Sequence, residues 1–324
     1  MRRFLLTRAV HAASVIAIVV TLAFVMIHLA PGDPFLAQMP ESDGGVAARE
    51  QLRHQWGYDQ PLPVQYAKWI GNLASGSLGT SHSQGRPVTD VLRETLPRTL
   101  LLMGVALPFG LIAGVVLGTW QAARRGSTAE RASSAFSMML LSIPEFLFAL
   151  ALLSVFALRL RWFPVSGMTD DVLHAGMSPV AQALDVVRHL VLPVTSLAVL
   201  TAVAIARYQR AALLAVLPEE FVAAARARGA TPLNALVRHA LRNALSPLTA
   251  ILGLLLPSLF AGAVFAESVF SWPGMGRMMV QAVNGRDYPL VLAGVICSSV
   301  LVALGSMVAD LLGAIADPRI RSST

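Results

Sequence analysis

From Thr99 to Ala123 the chain carries no charged side chain. Five other stretches come close to matching it: Ala9–Gly32, Ser133–Leu158, His189–Ala206, Asn243–Ala266 and Tyr288–Ala309. Each is near the ~20 residues that a helix needs to cross the hydrocarbon of a bilayer. Backbone N–H and C=O groups find no water there, so a crossing segment must close its hydrogen bonds within itself. The expected fold is an all-α polytopic membrane protein with six transmembrane helices. Composition agrees, since 55% of residues are apolar and only 13% are charged, about half the fraction usual in soluble domains. The third run is interrupted only by Glu145. The first follows Arg2, Arg3 and Arg8 as a signal peptide would. Its apolar run exceeds the usual core and shows no clear small-x-small cleavage site, so a retained span is expected.

Arginine placement sets the expected orientation. With the N-terminus inside, the cytoplasmic segments carry 14 arginines, among them Arg124, Arg125, Arg207, Arg210, Arg226 and Arg228. The two short outer loops carry five: Arg159, Arg161, Arg188, Arg277 and Arg286. By the positive-inside bias both termini face the cytoplasm. The same bias accounts for the net charge of +7 without a nucleic-acid partner, because the basic residues are scattered between apolar runs. The partner this composition calls for is the lipid bilayer.

Residues 1–98 read as a first span plus an outer subdomain. The tetrapeptide PGDP (Pro31–Pro34) ends the span, helices are expected over Glu50–Tyr58, Pro63–Leu73 and Val88–Leu96, and GSLGTS (Gly76–Ser81) reads as a tight glycine turn. Residues 99–316 hold the other five spans, and 317–324 form a cytoplasmic tail. The second outer loop, Arg159–Arg188, carries Asp170, Asp171 and Asp185, which either guide a solute or form a solvated surface. In FSWPGMG (Phe270–Gly276), Trp272 is expected as an interfacial anchor.

Several chemistries are excluded. Lys68 is the sole lysine and no glycine precedes it, so the chain has no P-loop for nucleotide phosphates. The seven histidines are dispersed, without HExxH or comparable ligand spacing, and Cys297 stands alone, so no metal set is expected. A Gly-x-Ser-x-Gly elbow is missing as well. The expectation is a chain with no catalytic residues. An ionisable residue within a span is the remaining functional signal. Glu145 follows Pro144, whose ring opens a helix, so the pair either lines a translocation path or satisfies a kink. Asp310 reads as a salt-bridge partner near the cytoplasmic end of the last span, and Glu267 is ambiguous at the outer end of the fifth.

Between the fourth and fifth runs lies a polar insert, Pro218–Leu248, PEEFVAAARARGATPLNALVRHALRNALSPL. Pro218 fits a first helical position, Glu219 and Glu220 place negative charge at a helix start, and Arg226 and Arg228 place positive charge at its end. Gly229 then reads as a C′ residue and Thr231 as the cap of a second helix. Two short helices broken at a glycine make a stiff cytoplasmic projection. An amphipathic helix lying on anionic lipid is the competing reading, but the glycine break and acid-first, base-last order fit a docked element better.

This hairpin resembles the cytoplasmic loop of ABC importer permeases, with Ala224, Ala225, Gly229 and Leu241 on the pattern of that loop. Ala223 replaces the usual Glu, and His239 and Arg242 the usual Ile and Pro, as in the dipeptide, oligopeptide and nickel branch. That branch is matched by Phe221-Val222, Ala225-Arg226-Ala227, Gly229 and His239–Asn243. Further branch-like pieces follow in order: the N-terminal Arg-Arg, PGDP, DQPLPVQY (59–66), GSLGTS, Leu96-Pro97, SIP (142–144), FSWPGMG, DYP (287–289) and DPRIR (317–321).

The resemblance implies a type I ABC importer permease of the bacterial inner membrane, forming half of a translocation pathway with a sister permease. It implies two cytoplasmic ATPase subunits, which bind the ATP and Mg, and an extracytoplasmic solute-binding protein. The coupling helix would comprise Glu220, Phe221, Ala223, Ala224, Ala225, Arg226, Arg228 and Gly229. Peptides are the implied solute, with nickel, glutathione or an oligosaccharide as alternatives on the same architecture. An ion-coupled secondary transporter is less consistent with these residues, because that class calls for internal repeats and several intramembrane acids.

Overall fold

A computed structural model describes residues 2–29 and 45–316, with side chains described for 7–29, 50–245, 248, 251, 260–309 and 311. The expectations for PGDP, the side chain of Asp310 and DPRIR lie outside the described residues. Those described contain no strand, only an isolated bridge between Thr80 and Pro87. The helices are α1 (Arg2–Leu29), α2 (Gly45–Trp56), α3 (Leu62–Ala74), α4 (Val88–Ala123), α5 (Thr128–Ser142), α6 (Glu145–Leu152), α7 (Pro179–Val216) and α8 (Glu220–Ala227). They continue as α9 (Pro232–Asn234), α10 (Leu241–Ala244), α11 (Ser246–Val269), α12 (Met275–Asn284) and α13 (Tyr288–Ala316).

Among the described residues four helical stretches are long and apolar enough to cross a membrane: Thr7–Leu29, Val88–Ala123, Pro179–Val216 and Tyr288–Ala309. The third apolar run is not one straight helix. It breaks into α5 and a second piece, Glu145–Arg159, bent by 103°. Proline accounts for this. Its ring pushes the preceding residue out of helical geometry, so Ile143 adopts φ −82°, ψ 125°, and Pro144 has no N–H to continue the ladder. Counted as one span, the bent pair makes five.

Two boundaries also differ from expectation. The helix expected over Val88–Leu96 is not a separate piece, because α4 runs on through Pro97 to Ala123. Likewise α7 begins ten residues ahead of the fourth apolar run. Ser178 caps it by accepting from the Ala181 N–H, and Pro179 supplies a pre-set first position. Charged Asp185 and Arg188 lie inside its early turns rather than in a loop.

Two compact units divide the chain. One comprises Met1–Arg98 with Gly274–Ala303 and the other Thr99–Pro273 with Leu304–Thr324. In the first, α1 meets α3 through a Thr21–Tyr66 hydroxyl hydrogen bond of 2.7 Å and the ring contacts of Phe24 with Tyr66 and Trp69. The loop after α3 is tied to the start of α13 by Asp287, which accepts from Ser81 Oγ, Ser83 Oγ and the Ser83 N–H at 2.5–2.9 Å. Burial alone would raise the Asp287 pKa. The hydrogen bonds from Ser81 and Ser83 outweigh it and hold the carboxyl below its ordinary value.

In the second unit, Leu102, Ala106, Ala149, Leu190, Leu197, Ala263, Phe270 and Trp272 share one core. Trp272, expected as an interfacial anchor, is 0% exposed within it. A positive φ at Ser271 turns the chain there. Beside this core, α4 lies on α7 along three glycines one turn apart. A Cβ at Gly110 would meet Thr201, one at Gly114 would meet Ile205 and the Ala202 carbonyl, and one at Gly118 would meet the Ala206 carbonyl. Small residues at this spacing let helix backbones approach closely.

Candidate functional site

Helix α8 projects from the end of α7 and folds back on it. Its first turn carries Glu220, Glu219 is the N-cap, and Pro218 lies just outside the helix rather than at its first position. Val222 and Ala225, three residues apart, are both buried, and Val222 packs in one core with Leu213, Leu236, Ala235, Ala240 and Ala244. The C-terminus is closed as the sequence indicated. Gly229 takes φ +91°, its N–H bonds to the Arg226 carbonyl at 2.9 Å, and the Ala230 N–H reaches the Ala225 carbonyl at 3.1 Å. This paired arrangement satisfies carbonyls that a helix end leaves orphaned. Thr231 then accepts from the Asn234 N–H at 3.2 Å and starts the return limb. That limb passes through a π-helical turn at Ala235–Ala240 before α10.

The outward surface of α8 therefore carries Glu220, Phe221, Ala223, Ala224, Arg226 and Arg228, all exposed. Phe221, Ala224 and Arg228 lie on one stripe at helical spacing, and the Phe221 ring is 41% exposed. Ala225 differs from the rest of the expected set. It is buried, so it supports the hairpin from within instead of presenting a surface.

Residues 106–322 match the family described as the binding-protein-dependent transport system inner membrane component, and residues 1–103 match that family's N-terminal component. The chain belongs to this family. It is 36% identical over 321 residues to the oligopeptide transport system permease protein AppB of Bacillus subtilis, covering 99% of each chain. Against the di/tripeptide transport system permease protein DppB of Pseudomonas aeruginosa it is 38% identical over 317 residues, 94% of each. Among solved structures, the MetNI methionine ABC transporter in an inward-facing conformation shares its fold. The TM-score is 0.54 at 22% identity, over 71% of this chain and 97% of that one.

In this inner-membrane transport component, Pro144 and Glu145 sit apart from the hairpin, packed against α11. The Glu145 carboxylate lies directly over Gly262, where an added Cβ would strike it. Phe146, the next residue, lies near Phe265 of α11, with ring centroids 6.3 Å apart. Glu145 has no hydrogen-bond or ion-pair partner among the described residues.

Other buried polar groups lie away from the hairpin. Asp185, read as part of a guiding or solvated acidic set, is buried. It accepts from the Asp170 N–H at 2.9 Å and His174 Nδ1 at 2.7 Å, with His189 Nδ1 at 3.2 Å. It therefore pins the preceding loop to α7. Glu267 is fully buried and accepts from Thr99 Oγ1 at 2.6 Å. Glu130 on α5 binds Arg210 of α7 at 2.9 Å and accepts from the Gly126 N–H at 3.2 Å. Ser127, three residues before it, caps α5. That Ser-x-x-Glu spacing was a legible capping signal.

Proposed function

We propose that this permease forms half of the translocation pathway of an ATP-driven peptide importer. In this reading six spans cross the inner membrane, with the bent α5–α6 pair as the third and α11 as the fifth. Both termini and the α8 hairpin face the cytoplasm, and residues 30–98 form an outer subdomain. A solute-binding protein delivers a di- or oligopeptide on that outer side. Two ATPase subunits, holding ATP and Mg, grip α8 on the inner side, and a sister permease completes the path.

One observation carries the reading. Helix α8 is anchored on one face by Val222, with Ala225 buried beside it, and presents Phe221, Ala224 and Arg228 on the other. A helix fixed to the membrane core on one side and open on the other transmits a push from whatever grips it. The small Ala223 and Ala224 side chains let a partner approach, and Arg226 and Arg228 offer cations to acidic groups. Peptide as solute rests on the relatives' described roles together with near-full-length coverage.

The test is reconstitution with the sister permease, ATPases and binding protein that co-purify with it, followed by uptake of a labelled dipeptide. ATP-dependent uptake that Ala224→Trp abolishes, with the chain still in the membrane, is the expected result. Normal ATPase association and uptake in Ala224→Trp would overturn docking through α8. Accumulation driven by an ion gradient without ATP would overturn the whole reading.

A further inference from the structure

A cavity of about 360 Å³ opens in the first unit, walled by four segments distant in sequence. Phe24 and His28 come from α1, Trp56, Tyr58, Gln60, Lys68 and Trp69 from the α2–α3 region, Thr80 from the glycine loop, and Tyr288 from the start of α13. Its walls are fixed before any ligand arrives. Phe24 stacks on His28 with centroids 4.0 Å apart, Tyr58 shares a 2.9 Å hydrogen bond with His82, and Tyr288 faces both His28 and Tyr58. The size is at the small end for ligand cavities, and the lining mixes aromatic rings with polar side chains such as Gln60, Gln65 and Asn72.

Charge narrows the class of occupant. Lys68, the only lysine in the chain, lines the cavity, and among the described lining residues there is no Asp or Glu; His54, also on the wall, lies 3.7 Å from Asp59. The nearby imidazole of His82 is kept toward neutrality by burial, and burial likewise pushes the Tyr58 phenol up, so it stays protonated. An amide acceptor, Gln60 Oε1, is buried without a partner among the described residues. Together these leave the Lys68 ammonium, one acceptor needing an N–H donor, and aromatic walls. A carboxylate on an apolar or aromatic body fits each of these features.

We propose that this cavity is a binding site for the C-terminal residue of a peptide. Lys68 holds the terminal carboxylate, Gln60 Oε1 accepts from a peptide N–H, and Trp56, Tyr58 and Trp69 enclose the side chain. Peptide rather than another anion rests on the importer reading above. The site would be a second point of solute contact, on the permease itself.

The permease, co-purified with its sister in phosphatidylcholine nanodiscs, is titrated with Ala-Phe and with its C-terminal amide, following tryptophan fluorescence. Saturable quenching by Ala-Phe is expected, with the amide weaker by about tenfold or more. Lys68→Gln should reduce Ala-Phe to the amide's level and leave the amide unchanged. Trp69→Leu should weaken both, and unchanged thermal melting of Lys68→Gln would exclude misfolding. Equal binding of acid and amide, no saturable binding, or no effect of Lys68→Gln overturns the proposal. Loss of Ala-Phe binding when phosphatidylglycerol replaces part of the phosphatidylcholine would assign the cavity to a lipid phosphate and also overturn it. The reconstituted uptake assay is read separately, so a failed pocket leaves the importer reading standing, and failed uptake leaves the binding result standing.

Discussion

The carboxylate of Glu145 rests on the Cα of Gly262, in the space a side chain would occupy. An acid at the head of α6 and a glycine in the middle of α11 are thus one packing unit. Gly262→Ala should destabilise the permease by about 1–3 kcal/mol, the usual cost of overpacking. Glu145→Ala in the same chain should restore most of that loss. Thermal melting of the four members of this double-mutant cycle in detergent checks the coupling, and simple additivity would show that the two residues do not share the space.

Glycines along α4 should not respond alike. Gly114→Ala drives a Cβ into Ile205 and the Ala202 carbonyl, so a loss of about 1–3 kcal/mol is expected. Gly104 has nothing within 4 Å of its would-be Cβ. Gly104→Ala should be neutral or gain up to about 1 kcal/mol, from helix propensity alone. Comparing the two melting temperatures tests the contact with α7 independently of transport.

At the hairpin, Gly229→Ala forces a side chain into left-handed backbone, at a cost of about 1–2 kcal/mol. Gly229→Pro also removes the N–H that bonds to Arg226, and its fixed φ is incompatible with +91°. Uptake should fall partly in the first variant and vanish in the second, with both chains recovered from the membrane fraction. Wild-type uptake by Gly229→Pro would show that the stiffness of α8 is not needed.

Acid should loosen the first unit in two steps. His82 has its pKa lowered by burial, so as pH falls through about 6.5 the unfolded chain takes a proton that the folded one refuses, and stability declines. Asp287 is held below its ordinary value by Ser81 and Ser83 against the opposing effect of burial. Its contribution is complete above about pH 4 and is lost as pH falls through the lower folded value. Melting between pH 7.5 and 3 should show both declines. His82→Gln should lessen the upper one and Asp287→Asn the lower.

Much of the helical skeleton was legible because its determinants are local. Pro144, Ser178-Pro179, Gly229 and Thr231 each act through their own backbone geometry. What the sequence hid depends on partners far along the chain. Asp185 looks like a solvent-facing acid until His174 and the Asp170 N–H close on it, and Trp272 looks like an interfacial ring until α4, α7 and α11 surround it. The glycine stripe at 110, 114 and 118 was visible at four-residue spacing, but only the facing Ala202 and Ala206 carbonyls give it meaning. Ala225 illustrates the limit in reverse. It matches the expected motif in type, yet its place on the helix turns it away from any partner.

Helices α4 and α7 come together at three successive turns, where Gly110, Gly114 and Gly118 lie close to the Ala198, Ala202 and Ala206 carbonyls. Such a pair behaves as a single plank, since shifting one helix by a residue would set Ile205 against a turn that has no gap for it. Bending within this unit is then left to the joint at Ile143–Pro144, where the ladder is already interrupted. The permease thus combines a stiff slab and a pre-broken elbow in one unit, which suits a wall that must tilt without losing its internal bonds.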